Sequence, residues 1–450
     1  MKRKNVLALG LALVMSVGML TGCGGKGSSD AGTTPGVTQG AESTGGTQAE
    51  ATQGAQAPTE APEPTAEPTK EATPTPEPTP TEVPDNIPDV TVKSFEVPTN
   101  EALQFVKDMK IGWNLGNTFD ASECTWLSDE LDYESAWCGV KTSARLIQAV
   151  KDAGFNTLRL PVSWHNHVSG ENHTISEAWL DRVQEVVDMA RAADMYVILD
   201  IHHDNNTEFL YPSSEYHEQS KHYIKCIWEQ LAERFKDYDD KLVFEAMNEP
   251  RLVGTNYEWW LNPNDASCKD SVACINELNQ LFVDTVRASG GNNATRYLMV
   301  PGYCASVDGA LNANFILPTD TVENHLIVSV HAYTPYNFAL NTKGTAEFDM
   351  DKASDVKEIT SFMDKIYDKF TSKGIPVIIG EFGAMHKKNL EQRVEFAVVY
   401  IANARARGIT CCWWDNNAFL GDGELFGLVD RASLKWHFEE VVDALMKYAE

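Results

Sequence analysis

Two glutamates stand at the carboxyl ends of short apolar segments. Glu249 follows residues 242–247, and Glu381 ends residues 377–381. Cleavage of an acetal requires one carboxylic acid that protonates the departing oxygen and one carboxylate that stabilises or captures the oxocarbenium-like centre. If a fold brings the two carboxyl groups to about 5 to 5.5 Å, the carboxylate acts as nucleophile and the sugar configuration is retained. The pair therefore predicts chemistry at a glycosidic bond.

The elements that must position these residues form an alternating pattern. Longer stretches with spaced apolar residues, typical of helices, separate short segments rich in apolar and β-branched residues, typical of strands. Eight buried strands separated by helices predict an α/β fold of the (β/α)₈ TIM barrel type. A doubly wound sheet is the competing architecture, but no Gly-x-Gly-x-x-Gly turn follows a strand. The predicted strands are residues 111–116, 157–162, 196–201, 242–247, 296–301, 326–331, 377–381 and 410–414.

Polar and aromatic side chains cluster at the ends of these strands. In a TIM barrel the catalytic groups lie at the carboxyl ends of the strands, so we expect these residues to line one cleft together with the two glutamates. The additional candidates are Asn114, Arg159, His202, His203, Asn248, His331, Tyr333 and Trp414.

Two motifs make a family resemblance specific. Residues 243–250 read Val-Phe-Glu-Ala-Met-Asn-Glu-Pro and residues 379–383 read Ile-Gly-Glu-Phe-Gly. They resemble the acid/base and nucleophile motifs of glycoside hydrolase family 5, the cellulase A family. Residues 111–120, 155–164 and 331–336 resemble subfamily four. The resemblance implies a retaining endo-β-1,4-glucanase (cellulase) acting on cellulose-type glucans, and in several members also on xyloglucan, mixed-linkage glucan or xylan.

The resemblance also implies a role for each candidate. Glu249 is the expected acid/base and Glu381 the expected nucleophile, so we expect their surroundings to push the two pKa values apart. Arg159 would keep the nucleophile ionised, because a nearby cation lowers a carboxyl pKa. Asn248 would hydrogen-bond the sugar 2-hydroxyl, and Tyr333 would donate to the nucleophile.

The remaining candidates are expected to shape the cleft or to contact sugar. His331 would shape the acid/base environment, and Trp414 would stack under the sugar. His202 is favoured as the histidine that binds sugar hydroxyls, with His203 as the alternative. Asn114 is counted among the substrate-binding residues. Glu245 lies deeper in the same strand than the acid/base and is expected to be structural.

Acidic residues dominate the composition, with 65 Asp and Glu against 37 Lys and Arg and a net charge of -28. Nucleic-acid binding depends on cationic side chains that displace counterions, so a nucleic-acid partner is excluded. Excess acid also keeps an extracellular protein soluble and monomeric. Residues 202–204, His-His-Asp, are a possible start of a metal site, but no third ligand is evident. We expect a β-glucan substrate, a monomer, and no metal or cofactor.

The amino terminus predicts export and a lipid anchor. A basic start and the apolar residues 6–20 indicate a signal peptide that is too short to span a membrane. The sequence Leu-Thr-Gly-Cys that ends it resembles a lipobox, which implies cleavage before Cys23 and acylation of that residue. Residues 1–22 are then a lipoprotein signal peptide, and the mature protein is anchored at the outer face of the bacterial cell membrane.

A linker follows the anchor. Residues 24–82 contain no Leu, Ile or aromatic residue and are rich in Gly, Ser, Thr, Gln and Pro. Such a composition cannot bury a core, so residues 23–94 are predicted to be a disordered linker and residues 95–450 the catalytic barrel. An exported chain can also form disulfides. The candidate pairs are Cys124 with Cys138 and Cys268 with Cys274.

A non-catalytic carbohydrate-binding surface lipoprotein is the alternative function. Binding alone needs aromatic side chains and hydrogen bonds, whereas it does not need two opposed carboxyl groups. The intact pair of Glu249 and Glu381 therefore favours the enzyme.

Overall fold

The computed structural model describes residues 87–450. Eight parallel strands close into a barrel, in which each strand pairs with its neighbours in sequence order and the first pairs with the last. The predicted (β/α)₈ barrel is confirmed, and every predicted strand overlaps an observed one. Strands β1 to β8 are Ile111–Leu115, Thr157–Leu160, Tyr196–Asp200, Leu242–Glu245, Leu298–Ser306, Leu326–His331, Val377–Phe382 and Ile409–Asp415.

A helix follows each strand, and all but the five-residue helix Val307–Leu311 run back along the barrel; after that short helix, residues 312–325 lead to the next strand. Helices α1 to α8 are Ala144–Asp152, Glu177–Ala192, His217–Arg234, Ala266–Ala288, Val307–Leu311, Ala353–Lys369, Leu390–Ala406 and Glu439–Lys447. No helix in the described part of the chain is long and apolar enough to cross a membrane. The other helices are Glu101–Asp108, Tyr133–Ala136 and Tyr336–Ala339. Short 3₁₀ helices span Glu130–Asp132, His165–His167, Gly291–Ala294 and Thr371–Lys373. Two small antiparallel pairs join Val168–Ser169 to Thr174–Ile175 and Val429–Asp430 to Lys435–Trp436.

Strand side chains alternate between two buried clusters, as the two-residue period of a strand requires. Those facing outward pack against the helices in the main core. Those facing inward at the lower end of the barrel pack against Phe105 and Val106 of the helix Glu101–Asp108, which closes the bottom. Nearer the strand carboxyl ends the inward positions become polar while staying fully buried. These polar positions are Asn114, Arg159, Asp200, Glu245 and Ser329.

Residues 87–94, assigned from sequence to the linker, lie against the barrel. Ile87 is buried in the main core, and its carbonyl oxygen accepts a hydrogen bond from Lys447 Nζ at 2.7 Å. The amide of Val90 donates to the hydroxyl of Tyr448 at 2.9 Å. Contacts with the barrel therefore begin before the boundary predicted at residue 95. The predicted signal peptide, Cys23 and the rest of the linker lie outside the described residues.

We expect Ile87→Ala to lower the free energy of unfolding by about 2 kcal/mol, because truncation of a buried Ile removes apolar contacts and leaves a cavity. Urea unfolding of the full chain measures the effect. Asp89→Asn is a matched control, since Asp89 is almost fully exposed and its ion pair with Lys447 should contribute little. Equal stability of the Ile87→Ala and wild-type chains would show that this segment does not support the barrel.

The cysteine pairs considered from sequence are not formed, and all eight cysteines in residues 87–450 are free thiols. Cys268 and Cys274 both lie on α4, where six residues of helical rise separate them by about 9 Å along the axis. A disulfide requires Cα atoms within about 7 Å, so this pair is excluded by the helix itself. Cys124 and Cys138 each direct the thiol to a nearby backbone carbonyl oxygen instead of to each other.

Candidate active site

The two glutamates lie side by side at the mouth of the barrel. Beyond β4 the chain keeps strand-like pairing, because the amide of Asn248 donates to the carbonyl oxygen of Ile201 at 2.8 Å, and this carries Glu249 to the rim. Glu381 lies within β7, where it pairs with His331 of β6. An oxygen of each carboxyl group and a ring nitrogen of His331 all lie within 4.8 Å of one another. This spacing fits a retaining pair and is shorter than the separation of about 6.5 to 9.5 Å in inverting enzymes.

Glu381 is held as a carboxylate. Arg159 Nη1 donates to its Oε1 at 2.8 Å, and the hydroxyl of Tyr333 donates to its Oε2 at 3.0 Å. Burial favours the neutral form, but the charges of His331 and Arg159 outweigh burial and lower the pKa of Glu381. The side chain is therefore ionised and aimed into the cleft, which is the state that a nucleophile requires.

Glu249 shares its proton with a histidine. His331 Nδ1 lies 2.9 Å from Glu249 Oε1, and Arg251 Nη1 lies 3.6 Å from Glu249 Oε2. Burial favours the neutral carboxyl group of Glu249, but the hydrogen bond and charge of His331 outweigh burial and lower its pKa. Burial also favours the neutral imidazole of His331, but the charges of Glu381 and Glu249 outweigh burial and raise its pKa. The surroundings therefore lower the pKa of both glutamates in the unliganded site, whereas they were expected from the sequence to push the two pKa values apart. Both shifts within the pair of Glu249 and His331 favour the imidazole as the holder of the proton in the hydrogen bond between the two groups.

Arg159 is the centre of the polar layer beneath the two glutamates. Besides Glu381 it contacts Asp200 Oδ2 at 3.0 Å and Glu245 Oε2 at 2.8 Å, all three side chains being buried. Three carboxyl groups thus share one guanidinium. Burial raises the pKa of Asp200 to about 7 and also raises the pKa of Glu245. The positive charge of Arg159 opposes both increases. The two deeper acids therefore accept a proton before Glu381 does. Sequence analysis missed Asp200, although an acid that ends the apolar strand β3 is a recognisable signal.

The two asparagines have different surroundings. The Oδ1 atom of Asn248 accepts a hydrogen bond from Arg159 Nη2 at 2.8 Å, which directs its amide nitrogen away from the guanidinium. Asn114 is fully buried, its Oδ1 accepts from Arg159 Nη1 at 3.0 Å, and its Nδ2 donates to the carbonyl oxygen of Gly380 at 2.9 Å. Both ends of this amide are used within the protein. The prediction that Asn114 binds substrate is therefore wrong, and Asn114 instead orients Arg159.

Gly380 makes room for the groups that surround the nucleophile. A Cβ atom at this position would lie 3.2 Å from His331 Nε2, closer than side chains usually approach, and would be in van der Waals contact with Arg159 Nε at 3.4 Å. A larger residue before Glu381 would require the ring of His331 to shift by a few tenths of an ångström. This close approach explains why glycine precedes the glutamate.

The two adjacent histidines are neutral and face different parts of the cleft. His202 is buried, its Nδ1 lies 2.8 Å from Asp200 Oδ2, and its Nε2 lies 4.0 Å from Glu381 Oε1. The side chain of His203 is one-third exposed, and its Nε2 lies 4.0 Å from Asp120 Oδ2. Burial lowers the pKa of His202 well below its usual value, and partial burial together with the neighbouring His202 also lowers the pKa of His203. Both rings can therefore exchange hydrogen bonds with a neutral ligand.

Trp414 forms one wall of the cleft. Its ring is parallel to the ring of His202 at a centroid distance of 5.9 Å, and Tyr333 and Phe426 pack beside it. The preceding Trp413 faces outward into the main core, where its Nε1 donates to the carbonyl oxygen of Phe426. Together, an ionised Glu381, a second carboxyl group that shares a proton and an aromatic wall have the components for acetal cleavage through a covalent intermediate.

Comparison with known proteins identifies the family. The family model described as cellulase (glycosyl hydrolase family 5) matches residues 118–420. The chain belongs to glycoside hydrolase family 5. Endoglucanase B of Ruminococcus albus is 44% identical over 352 residues, which are 78% of this chain and 81% of that relative.

Solved structures of family 5 enzymes superpose closely on this one. A lichenase from Caldicellulosiruptor sp. F32, in complex with cellotetraose, is 58% identical with a TM-score of 0.80 and covers 81% of this chain and 100% of its own. A GH5-4 broad specificity endoglucanase from Ruminococcus champanellensis with bound cellotriose is 46% identical with a TM-score of 0.72, covering 78% and 100%. The predicted resemblance to family 5 and its subfamily four is confirmed.

Two groups of side chains in this family 5 site have the ligand types that hold metal ions. They are Asp120 with His202 and His203, and Glu249 with His331 and Glu381. The acid near the histidines is Asp120 and not Asp204, which instead accepts hydrogen bonds from the hydroxyl of Tyr223 and from backbone amides. Family 5 hydrolysis can proceed with the carboxyl groups alone. The expectation that no metal takes part stays a prediction.

Proposed function

We propose that this family 5 enzyme is an endo-β-1,4-glucanase that hydrolyses internal bonds of cellulose-type glucans with retention of configuration. The observation that carries the proposal is the approach of the Glu249 and Glu381 carboxyl oxygens within 4.8 Å around His331. The relatives named lichenase, endoglucanase and xyloglucan-specific endo-β-1,4-glucanase support a substrate range that extends to mixed-linkage glucan and xyloglucan. Xylan is a further candidate.

In the proposed mechanism the two carboxyl groups act in turn on the same sugar. Glu381 attacks the anomeric carbon while Glu249 takes up the proton of its hydrogen bond with His331 and transfers it to the departing glycosidic oxygen. Glu249 then removes a proton from water, and this water releases the sugar from Glu381. Arg159 and Tyr333 hold the nucleophile through the contacts of 2.8 and 3.0 Å. Asn248 directs its amide nitrogen toward the sugar 2-hydroxyl, and Trp414 stacks under the ring.

Exposed tryptophans on the rim support a polymeric substrate. Four of them are between 40% and 69% exposed, which is unusual for so large an apolar side chain. Two follow β1 and two follow β4, three strands away in the barrel. The guanidinium of Arg251 lies 4.0 Å from the ring centre of Trp259 and links that ring to the surroundings of Glu249. The four residues are Trp126, Trp137, Trp259 and Trp260.

A substrate panel tests the activity. We expect hydrolysis of carboxymethylcellulose and lichenan, and of xyloglucan or xylan if the cleft accepts side chains or pentoses. An endo-acting enzyme lowers the viscosity of the polymer before much reducing sugar is released, so both quantities are measured. The Glu381→Gln variant, purified in parallel, controls for contaminating hydrolases. The proposed activity is refuted if none of the four polymers is cut.

We also propose that the chain is an exported lipoprotein whose anchor is Cys23, and that the anchored protein is monomeric. The support is the lipobox-like Leu-Thr-Gly-Cys after an apolar segment. The non-catalytic binding protein considered from sequence is not retained, because the family and the paired carboxyl groups belong to an enzyme.

We expect Cys23→Ala to release the protein from cell membranes into the medium, because acylation at this residue supplies the membrane affinity. Cell fractionation measures the distribution, and mass spectrometry of the mature amino terminus identifies the acylated residue. Cys226→Ala is a matched control, since Cys226 is a partly exposed thiol on α3 that has no role in anchoring. A mature protein with an unmodified Cys23, or cleavage at another site, would overturn the anchor.

A further inference from the structure

Asp200 occupies a buried position between the guanidinium and a histidine. Its Oδ1 accepts a hydrogen bond from the amide of Val162 at 2.9 Å, and its Oδ2 accepts one from Arg159 Nη2 at 3.0 Å. The same Oδ2 lies 2.8 Å from Nδ1 of His202. An ionised carboxylate can only accept hydrogen bonds, and it already accepts them from Val162 and Arg159. The third contact is therefore made if Nδ1 of His202 carries a hydrogen and donates it to Oδ2.

The ring of His202 carries a single proton. Burial lowers the pKa of this histidine well below its usual value, so the imidazole is neutral and exists as one of two tautomers. The partner of one ring nitrogen selects which nitrogen carries the hydrogen. An ionised Asp200 beside Nδ1 selects the form with hydrogen on Nδ1 and a free electron pair on Nε2.

The free electron pair faces the reaction site. Nε2 of His202 lies 4.0 Å from Oε1 of Glu381, and the imidazole is parallel to Trp414 at 5.9 Å. We propose that Asp200 is a positioning residue that holds His202 in the Nδ1–H tautomer, so that Nε2 accepts a hydrogen bond from a sugar hydroxyl beside the nucleophile. The proposal deepens the proposed glucanase function and rests on it for its kinetic consequence.

The opposite tautomer would harm the reaction in two ways. A hydrogen on Nε2 would point toward the carboxylate of Glu381, stabilise its negative charge and reduce its attack on the anomeric carbon. It would also leave the sugar hydroxyl without its acceptor, and an unmatched polar group in a buried site costs binding free energy. Asp200 therefore acts through His202 and does not itself touch the substrate.

Nitrogen NMR of the full chain with ¹⁵N-labelled histidine tests the tautomer directly. His202→Gln assigns the signals of this ring among those of the 11 histidines. At pH 8, above the pKa of about 7 of Asp200, we expect hydrogen on Nδ1 in the wild type. Asp200→Asn leaves one neutral oxygen for the three donors Val162 N, Arg159 Nη2 and His202 Nδ1, so the charged acceptor of the Nδ1 hydrogen is lost and the hydrogen should move to Nε2. Hydrogen on Nε2 in the wild type would overturn the proposal, even if the variant does not fold.

Glu245→Gln is the matched control for the kinetics. Like Asp200→Asn it removes one buried carboxylate from Arg159, but Glu245 contacts Ser329 and not His202. On an aryl cellobioside at pH 8, we expect kcat/KM of Asp200→Asn to fall about 10- to 100-fold further than that of Glu245→Gln, with part of the loss in kcat. Equal losses would show that Asp200 only balances the charge of Arg159, and the proposal would be rejected. The tautomer measurement needs no substrate, so its outcome is independent of whether the glucanase function holds.

Discussion

We expect Glu381→Gln to reduce turnover of every β-glucan by at least about 10⁴-fold, because an amide cannot form the covalent glycosyl-enzyme intermediate. A 10⁴-fold loss corresponds to about 5.4 kcal/mol of transition-state stabilisation. The substitution keeps the size of the side chain, so the amide oxygen can still accept a hydrogen bond from Arg159. The NH₂ group then takes the place of Oε2 and can donate to the hydroxyl oxygen of Tyr333. Initial rates on carboxymethylcellulose and on an aryl cellobioside measure the loss.

Binding provides the control for this variant. Isothermal titration with cellotetraose should give a dissociation constant within a few-fold of the wild type, because Trp414, His202 and Asn248 remain in place. Loss of both binding and turnover would indicate a damaged cleft. The circular dichroism spectra of the variant and the wild type are therefore compared first, to confirm that the variant is folded. Turnover above about 1% of the wild-type rate in a folded, binding-competent variant would remove Glu381 from the role of nucleophile.

The second large effect is expected for Glu249→Ala, and it depends on the leaving group. Hydrolysis of polysaccharide should fall by about 10² to 10⁴-fold, the usual contribution of general acid–base catalysis. Substrates with good leaving groups need little protonation, so the first step with a 2,4-dinitrophenyl cellobioside should be nearly as fast as in the wild type. A burst of dinitrophenol followed by slow turnover is the expected time course, because the second step lacks its base.

Azide distinguishes the acid/base from the nucleophile. It needs no general base, so it should accelerate the slow second step of Glu249→Ala and yield a β-glycosyl azide, since two inversions at the anomeric carbon give net retention. Azide should not produce the β-azide with Glu381→Gln, which forms no covalent intermediate. An α-azide from Glu249→Ala, or no acceleration of either variant, would contradict the assignment of Glu249 or the retaining mechanism.

The fold was accessible from the sequence because barrel strands have a local signature. Each strand is buried on both faces, so it is an almost continuous apolar run such as Tyr196–Asp200 or Val377–Phe382. The polar candidates follow the strand ends, and parallel barrel strands all end at the same edge, so their common location also follows from the sequence. The boundary of the linker was less accessible, because the burial of Ile87 depends on helix α8 and the residues that follow it at the other end of the chain.

The composition of the candidate site was predicted better than its internal connections. Glu249, Glu381 and His331 come together as expected from the motifs. Asn114 was expected to bind substrate, but its amide is fully occupied below the cleft by Arg159 and by carbonyl oxygens. An asparagine at a strand end can face the ligand or the layer beneath it, and only the packing of its neighbours decides between these directions.

By itself, the sequence determined the order of strands and helices, the two motif glutamates and the edge of the barrel on which they lie. These features follow from hydrophobic periodicity and from short motifs, which are properties of neighbouring residues. Only the tertiary structure decided the protonation of the site, because Arg159 is 86 residues from Glu245 and 222 residues from Glu381 in the chain. The pKa of a buried carboxyl group depends on which charges lie within a few ångströms, and barrel closure alone brings these charges together.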